Sequence, residues 1–398
     1  MSTKWDNDKV IQRFREYLMI PSVHPNIDYS DCVNFLEKEA NLLDLPMAVH
    51  EPVPNKPVVI ITWQGLEPEL PSILLNSHMD VVPVYEDHWT HPPFDAVITE
   101  DGFIHARGTQ DMKGIGMMHL EAVRKLKDAG VRLKRTIHVS FVPDEEIGGL
   151  DGMGAFCETE EFKDLNIGFA LDESVPTIEP KTIIAFNGER TSRAVRITCR
   201  GETCHGAKLS SNTAGEKIQY VIDEFMAFRA QEMKKVNKDG TNLGDVTTIN
   251  LTQLSGGVQI NVVPESLTVS FDIRLAPNVD PDEFENMIMR WCTEAGDGVS
   301  FEYAVKNPQV KSTVLEGNAF WTAMNKAVSE MGYRIMCVTC PGATDARYVR
   351  RKGIPVINFS PMTNCEMLLH AHNETIHVDV FMKGIEITKK VVEAIANV

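Results

Sequence analysis

Leu74-Leu75-Asn76-Ser77-His78-Met79-Asp80-Val81-Val82-Pro83 reads as an apolar strand that ends in an imidazole and a carboxylate before the chain leaves through proline. Side chains at i and i+2 of an extended segment share a face, so His78 and Asp80 converge on one point at the strand's end. Histidine is the commonest metal-ligating side chain, and a neighbouring carboxylate either ligates as well or holds the ring in the required tautomer. The pair marks the start of a metal site if companions exist elsewhere.

Working outward, Val58 to Trp63 is a second β-rich run, and Met112 to Ala129 carries Ile115, Met118, Ala122, Val123 and Leu126 on one helical stripe, with Gly130 as a stop. Thr136 to Val142 and Ile167 to Leu171 are further apolar strands, and helices are expected from Asp6 to Leu18 and Asp31 to Leu43. Strands alternating with helices predict an α/β domain, a central sheet flanked by helices, with ligands gathered outside the strand ends. From Arg193 the pattern changes. Val195, Ile197 and Cys199 alternate with Arg196, Thr198 and Arg200, as in a sheet with one wet face. The following elements (a helix through Ile218 and Phe225, strands Val246 to Leu254 and Leu267 to Leu275, a helix Pro281 to Ala295, a strand Val299 to Val305) complete a βαββαβ, ferredoxin-like order. Residues 191–307 therefore read as an inserted domain, and residues 1–190 with 308–398 as a discontinuous catalytic domain, closed by a helix around Phe320, a strand Pro355 to Phe359 and a helix from Val378.

A chain of 398 residues exceeds one comfortable core, which suits two domains. The net charge of −17 opposes binding to nucleic acid or anionic membranes. The N-terminal residues lack a secretory apolar core, and no run of about eighteen apolar residues occurs, so a cytoplasmic location is expected. Eight cysteines scattered through the chain suit reduced thiols, Cys337-x-x-Cys340 included, because no second cysteine pair accompanies it.

The companions of His78 follow in order. Asp111 stands immediately ahead of the long helix, either as an N-cap or as a ligand. Asp144-Glu145-Glu146 leaves a central strand as three adjacent acids, whose mutual repulsion calls for cations and whose neighbouring side chains point different ways. Asp172-Glu173 ends another strand, and Leu368-Leu369-His370-Ala371-His372 places histidines after an apolar pair. Two histidines and several carboxylates at the ends of strands of one sheet form the mixed N/O set that borderline divalent metals favour.

The set His78-x-Asp80, Gly108-x-x-Asp111-Met112-Lys113, Glu145-Glu146-x-Gly148-Gly149, Asp172-Glu173 and the late His370 resembles the M20 family of dinuclear zinc metallopeptidases and deacylases. The surrounding wording, His88-Trp89, Phe141 to Glu146, Phe169 to Glu173 and Leu368 to His370, is similar to its deacylases and runs over essentially the whole chain. The resemblance implies two Zn2+ ions per subunit, bridged by Asp111, with His78 and Glu173 on one and Glu146 and His370 on the other. It implies Asp80 as the carboxylate that orients His78, Glu145 as general base, and a cis peptide at Asp111-Met112. The inserted module would be a lid and dimerisation domain in a homodimer, with His205 reaching the partner's site to polarise the scissile carbonyl, and Asn261 and Arg347 binding substrate. The implied reaction is hydrolysis of a small N-acyl-L-amino acid. A dipeptidase or carboxypeptidase on the same metals, or a non-catalytic zinc-binding scaffold, are the alternatives.

Overall fold

The computed structural model describes residues 4, 5 and 7–398; Met1 to Thr3 and Asp6, where the first helix is expected to begin, lie outside the described residues. That helix runs over Lys9–Leu18, and the Asp8 carboxylate caps it by accepting from the amides of Val10 and Ile11. The chain divides into two compact units. One comprises the chain up to Asn187 with Thr313–Cys337 and Thr344–Val398, and the other Gly188–Ser312 with Val338–Ala343, a wider range than the change in alternation at Arg193 suggests.

The first unit holds most of a mixed sheet in the order Met47–Val53, Lys56–Trp63, Ile137–Val142, Ser72–His78, Ile167–Asp172, Val356–Phe359, Thr182–Glu189, Arg334–Cys340, whose last two strands end within the second unit's ranges. Its four middle strands are parallel, and Lys56–Trp63 and Thr182–Glu189 flank them antiparallel, so the α/β architecture expected from the alternating pattern is present. Every residue of Ser72–His78 and Ile137–Val142 is buried, which is why these strands read as predominantly apolar. Their polar members are paired internally: Ser140 donates to the Asn76 side-chain oxygen at 2.7 Å, and the Asn76 amide donates to Asp172 at 3.1 Å. The strands Met47–Val53, Thr182–Glu189 and Arg334–Cys340 have no counterpart in the sequence reading. The first of these buries none of its residues fully and thus shows no hydrophobic period. Cys337 and Cys340 both lie on Arg334–Cys340, where residues three apart face opposite sides.

Chain direction decides where a site forms. Ser72–His78 is followed by the helix Lys113–Asp128 and then by Ile137–Val142 on one side, whereas Ile167–Asp172 lies on the other. The order of connection thus reverses at Ser72–His78, and the carboxyl ends of these three parallel strands open on one crevice. The helix Lys113–Asp128 is tied to the two N-terminal helices by buried charges. Arg13 donates to both oxygens of Glu121 at 2.8 and 3.0 Å, and Arg124 bonds Glu39 at 2.5 Å and Glu121 at 3.3 Å.

The second unit is a four-stranded antiparallel sheet in the order Thr248–Gly256, Ser266–Leu275, Thr191–Arg200, Val299–Lys306, with helices Ala214–Met233 and Pro281–Glu294. Val195, Ile197, Cys199, Phe271 and Ile273 face these helices and form a core in which Phe225 stacks on Phe271 at 4.0 Å. A capping box between Thr213 and Glu216 sets the start of the longer helix. Among the described residues no helix is long and apolar enough to cross a membrane.

His119 is buried in the middle of Lys113–Asp128, and burial pushes its pKa down to about 3. It stays neutral in the fold while the unfolded chain takes up a proton below pH 6.5, so stability is present above that pH and is lost as the pH falls toward 3. Denaturant unfolding at pH 7 and pH 5 should show His119→Leu losing about 2 kcal/mol less than the wild type over that interval.

Candidate metal centre

His78 is the last residue of its strand, and its side chain is buried. Its Nδ1 donates to the Asp80 carbonyl at 2.8 Å, which turns Nε2 toward Asp111 Oδ1 at 3.1 Å and Glu173 Oε2 at 3.5 Å. The other Asp111 oxygen lies 3.1 Å from His370 Nε2, and that nitrogen is also 3.1 Å from Glu146 Oε2. One carboxylate therefore stands between two imidazoles, each facing a further glutamate. Ligand atoms of His78, Asp111 and Glu146 lie within 4.8 Å of one another, as do those of His78, Glu145 and Glu173. The Asp111-Met112 peptide is cis, and Asp111 directly precedes Met112, the N-cap of Lys113–Asp128.

The late histidine is held by a residue whose function the sequence did not reveal. The buried Glu374 carboxylate accepts from the amides of Gly108 at 3.0 Å, Gln110 at 2.6 Å and Asp111 at 3.3 Å, from Thr109 Oγ1 at 3.2 Å and from Arg107 Nη1 at 2.9 Å. Gln110 in turn donates to the carbonyls of Glu366 and Thr375 and accepts from the Leu368 amide. The segment carrying His370 and the loop carrying Asp111 are thereby laced together, although over 250 positions separate Asp111 and His370 in the chain.

Asp80 meets His78 through both its carboxylate and its backbone carbonyl. Its carboxylate is 3.5 Å from His78 Nδ1, and the bond that aligns the ring goes to its backbone carbonyl. The carboxylate also accepts from the amides of Glu145 at 3.1 Å and Glu146 at 3.0 Å.

Charge is crowded here. Burial raises the pKa of Glu145 and Glu173 well above the usual range, with Glu173 repelling Glu145 and Asp111 repelling Glu173; burial and Asp111 raise Glu146 as well. Burial opposes ionisation of Asp111, but hydrogen bonds from His370 and His78 hold its carboxyl far below that range. Hydrogen bonds to Asp111 and Glu146 push His370 up to about 10. Such a cluster has the chemistry of a cation site: a mixed N/O donor set, a carboxylate with one oxygen on each side, and a buried Glu146 oxygen with no hydrogen-bond partner. The residues fit a pair of divalent ions.

Arg347 donates to the Thr344 carbonyl at 2.8 Å and the Gly148 carbonyl at 2.6 Å, beside the loop that follows Glu146. In the second unit, His205 and Asn261 are brought together where Cys204–His205 pairs with Val262–Val263, and the Gly206 amide donates to the Asn261 carbonyl at 2.8 Å. The Ala207 amide donates to His205 Nδ1 at 3.0 Å. A further buried acid, Asp345, had only its place in Gly342-Ala343-Thr344-Asp345 as a signal. Burial raises its pKa well above the usual range, and it packs so tightly on Gly149, at φ +61°, that a Cβ there would lie 2.0 Å from its carboxylate.

The model of peptidase family M20/M25/M40 matches residues 74–394. Aminoacylase-1 of Mus musculus is 45% identical over 389 residues, covering 97% of this chain and 95% of that protein, and aminoacylase-1 of Homo sapiens is 43% identical with the same coverage. Among solved structures, an M20 family metallo-carboxypeptidase from Sulfolobus solfataricus shares the fold at a TM-score of 0.73 and 19% identity, covering 98% of this chain and 99% of that one. A dinuclear metal binding M20 peptidase from Bacillus subtilis does so at 0.66 and 15%, covering 97% and 98%.

Glu374→Ala would leave Arg107 buried without its carboxylate and untie the Asp111 loop. It should destabilise the chain by about 3–5 kcal/mol and weaken divalent-ion binding by about 10–100-fold, read by denaturant unfolding and by chelator competition.

Proposed function

The chain belongs to peptidase family M20/M25/M40, and we propose that it hydrolyses N-acyl-L-amino acids to a carboxylate and a free L-amino acid. The observation that carries this reading is the coincidence of two facts in one chain. It resembles aminoacylase-1 over nearly its whole length, and it holds Asp111 between His78 and His370 with Glu145 alongside.

Metal dependence follows from the family and the donor set. Two Zn2+ ions per subunit would be held by these residues, one by His78 and Glu173 and the other by Glu146 and His370, with Asp111 serving both. When bound, zinc supplies Lewis-acid polarisation of the acyl carbonyl and a lowered pKa for water. Glu145 takes the proton of the attacking water and returns it to the departing amine. A carboxylate poised beside the water can first accept that proton and then donate it. Asp80, by gripping the amides of Glu145 and Glu146, keeps the base and the adjacent ligand in one pose.

His205 is assigned to the carbonyl oxygen. Because the Ala207 amide donates to Nδ1, the neutral ring carries its proton on Nε2, where it donates to a developing oxyanion. Asn261 beside it and Arg347, whose guanidinium fork matches a carboxylate, are the proposed substrate contacts. A homodimer in which His205 serves the partner's site is supported by the edge strand Thr248–Gly256, which exposes Leu251 and Leu254 along an unpaired backbone edge. A cytoplasmic location completes the reading, in keeping with eight scattered cysteines. The M20 carboxypeptidase of the same fold makes peptide hydrolysis the second reading. Turnover of N-acetyl-methionine and not of a methionine dipeptide decides for the first.

Glu145→Ala should retain bound metal while turnover falls by about 100-fold or more; near-normal activity, or loss of the metal, would remove Glu145 as the base. Heterodimers of a Glu145→Ala subunit and a His205→Ala subunit should regain part of the activity that either homodimer lacks, and verified heterodimers without recovery would argue against a shared site.

A further inference from the structure

The family match begins at residue 74, but an earlier segment is laid directly along the His78-Asp80 motif. Val23 bridges Val81 in parallel, the Val81 amide donates to the Ser22 carbonyl at 2.9 Å, and Ser22 Oγ donates to the Met79 carbonyl at 2.6 Å. This placement brings the His24 imidazole, 9% exposed, to 2.9 Å between its Nε2 and Asp80 Oδ2, inside the fully buried surroundings of that carboxylate. An ionised carboxylate only accepts, so His24 Nε2 carries the hydrogen and donates it.

We infer that His24 is a positioning residue for the hydrolysis, acting through Asp80. Asp80 Oδ2 receives both His24 and the Glu146 amide, while Oδ1 receives the Glu145 amide. Two adjacent amides on one carboxylate fix the turn that presents the base and the metal-facing glutamate. Without a third donor the carboxylate rotates about its terminal torsion, and the turn moves with it. His24 supplies that donor from outside the sheet. His24 Nε2 also lies 3.9 Å from Asp144 Oδ1, but Asp144 has closer partners of its own: Tyr29 donates to Oδ1 at 2.7 Å, and Lys56 pairs with the other oxygen at 2.5 Å. The inference rests on the proposed hydrolase reading for its kinetic test, though not for its metal test.

The experiment compares His24→Leu, which keeps bulk without a donor, with His24→Gln, whose amide nitrogen falls near the Nε2 position, and His24→Asn, whose nitrogen falls short of it. In the zinc-loaded enzyme His24→Leu and His24→Asn should lower kcat for N-acetyl-methionine about 10–100-fold with little change in KM, and release zinc to a chelator more readily, while His24→Gln restores both readouts to within about threefold of wild type. In an Asp80→Ala background His24→Leu should cost nothing further. Wild-type behaviour of His24→Leu, equal impairment of the Gln and Asn variants, or a full additional loss in the Asp80→Ala background would each overturn the inference. If His24→Leu does not fold, the contrast between Gln and Asn decides alone. A wild-type chain that cleaves no N-acyl amino acid refutes the functional reading instead, and chelator competition still reports on His24.

Discussion

A carboxylate placed between two imidazoles in a buried crevice is the constraint on which the rest of this chain depends. Burial opposes ionisation of Asp111, but hydrogen bonds from His370 and His78 hold it far below the usual carboxyl range, and the glutamates behind those rings are pushed up by their own burial and by repulsion from Asp111. Acids this close repel unless cations lie among them. The scaffold keeps them in place through the full burial of Ser72–His78 and Ile137–Val142, whose neighbours pack too densely for the strand ends to drift apart.

The interactions that set the geometry are mostly between a side chain and backbone amides. Glu374 collects the amides of Gly108, Gln110 and Asp111, and Asp80 collects those of Glu145 and Glu146. Each is an acceptor at the centre of a loop, and a charged acceptor bound to several amides is strong and directional. Loops that would otherwise be mobile surface connections become rigid ligand carriers in this way. The same device recurs with Gln110, whose side chain spans the segment that carries His370.

Much of this was legible in the chain itself. Largely apolar runs ending in His78, Glu145-Glu146 and Glu173 announce strands that stop at a site, because buried parallel strands are mostly apolar and a cluster of ionisable residues at their ends needs a reason. The alternation from Val195 to Cys199 announces a sheet with one wet face, and the helices that cover it follow from their own period. The edge strands Met47–Val53 and Arg334–Cys340 were silent, since an edge position imposes no hydrophobic period. Neither Glu374 nor His24 was visible, because a hydrogen bond between positions far apart leaves no periodic trace.

By itself the sequence determined which residue types stand at which strand ends, the α/β class, the βαββαβ order of the second unit and the family. Each of these is written in local patterns of burial and in short motifs. Only the tertiary structure decided that Asp80 grips two amides with its carboxylate while its carbonyl aligns His78, that Glu374 joins the Asp111 loop to the His370 segment, and that His24 reaches Asp80. The reason is physical. Local propensity and pattern act over a few residues, whereas the pairing of a buried donor with a buried acceptor is set by which distant strands and loops the packed core brings within about 3 Å of each other.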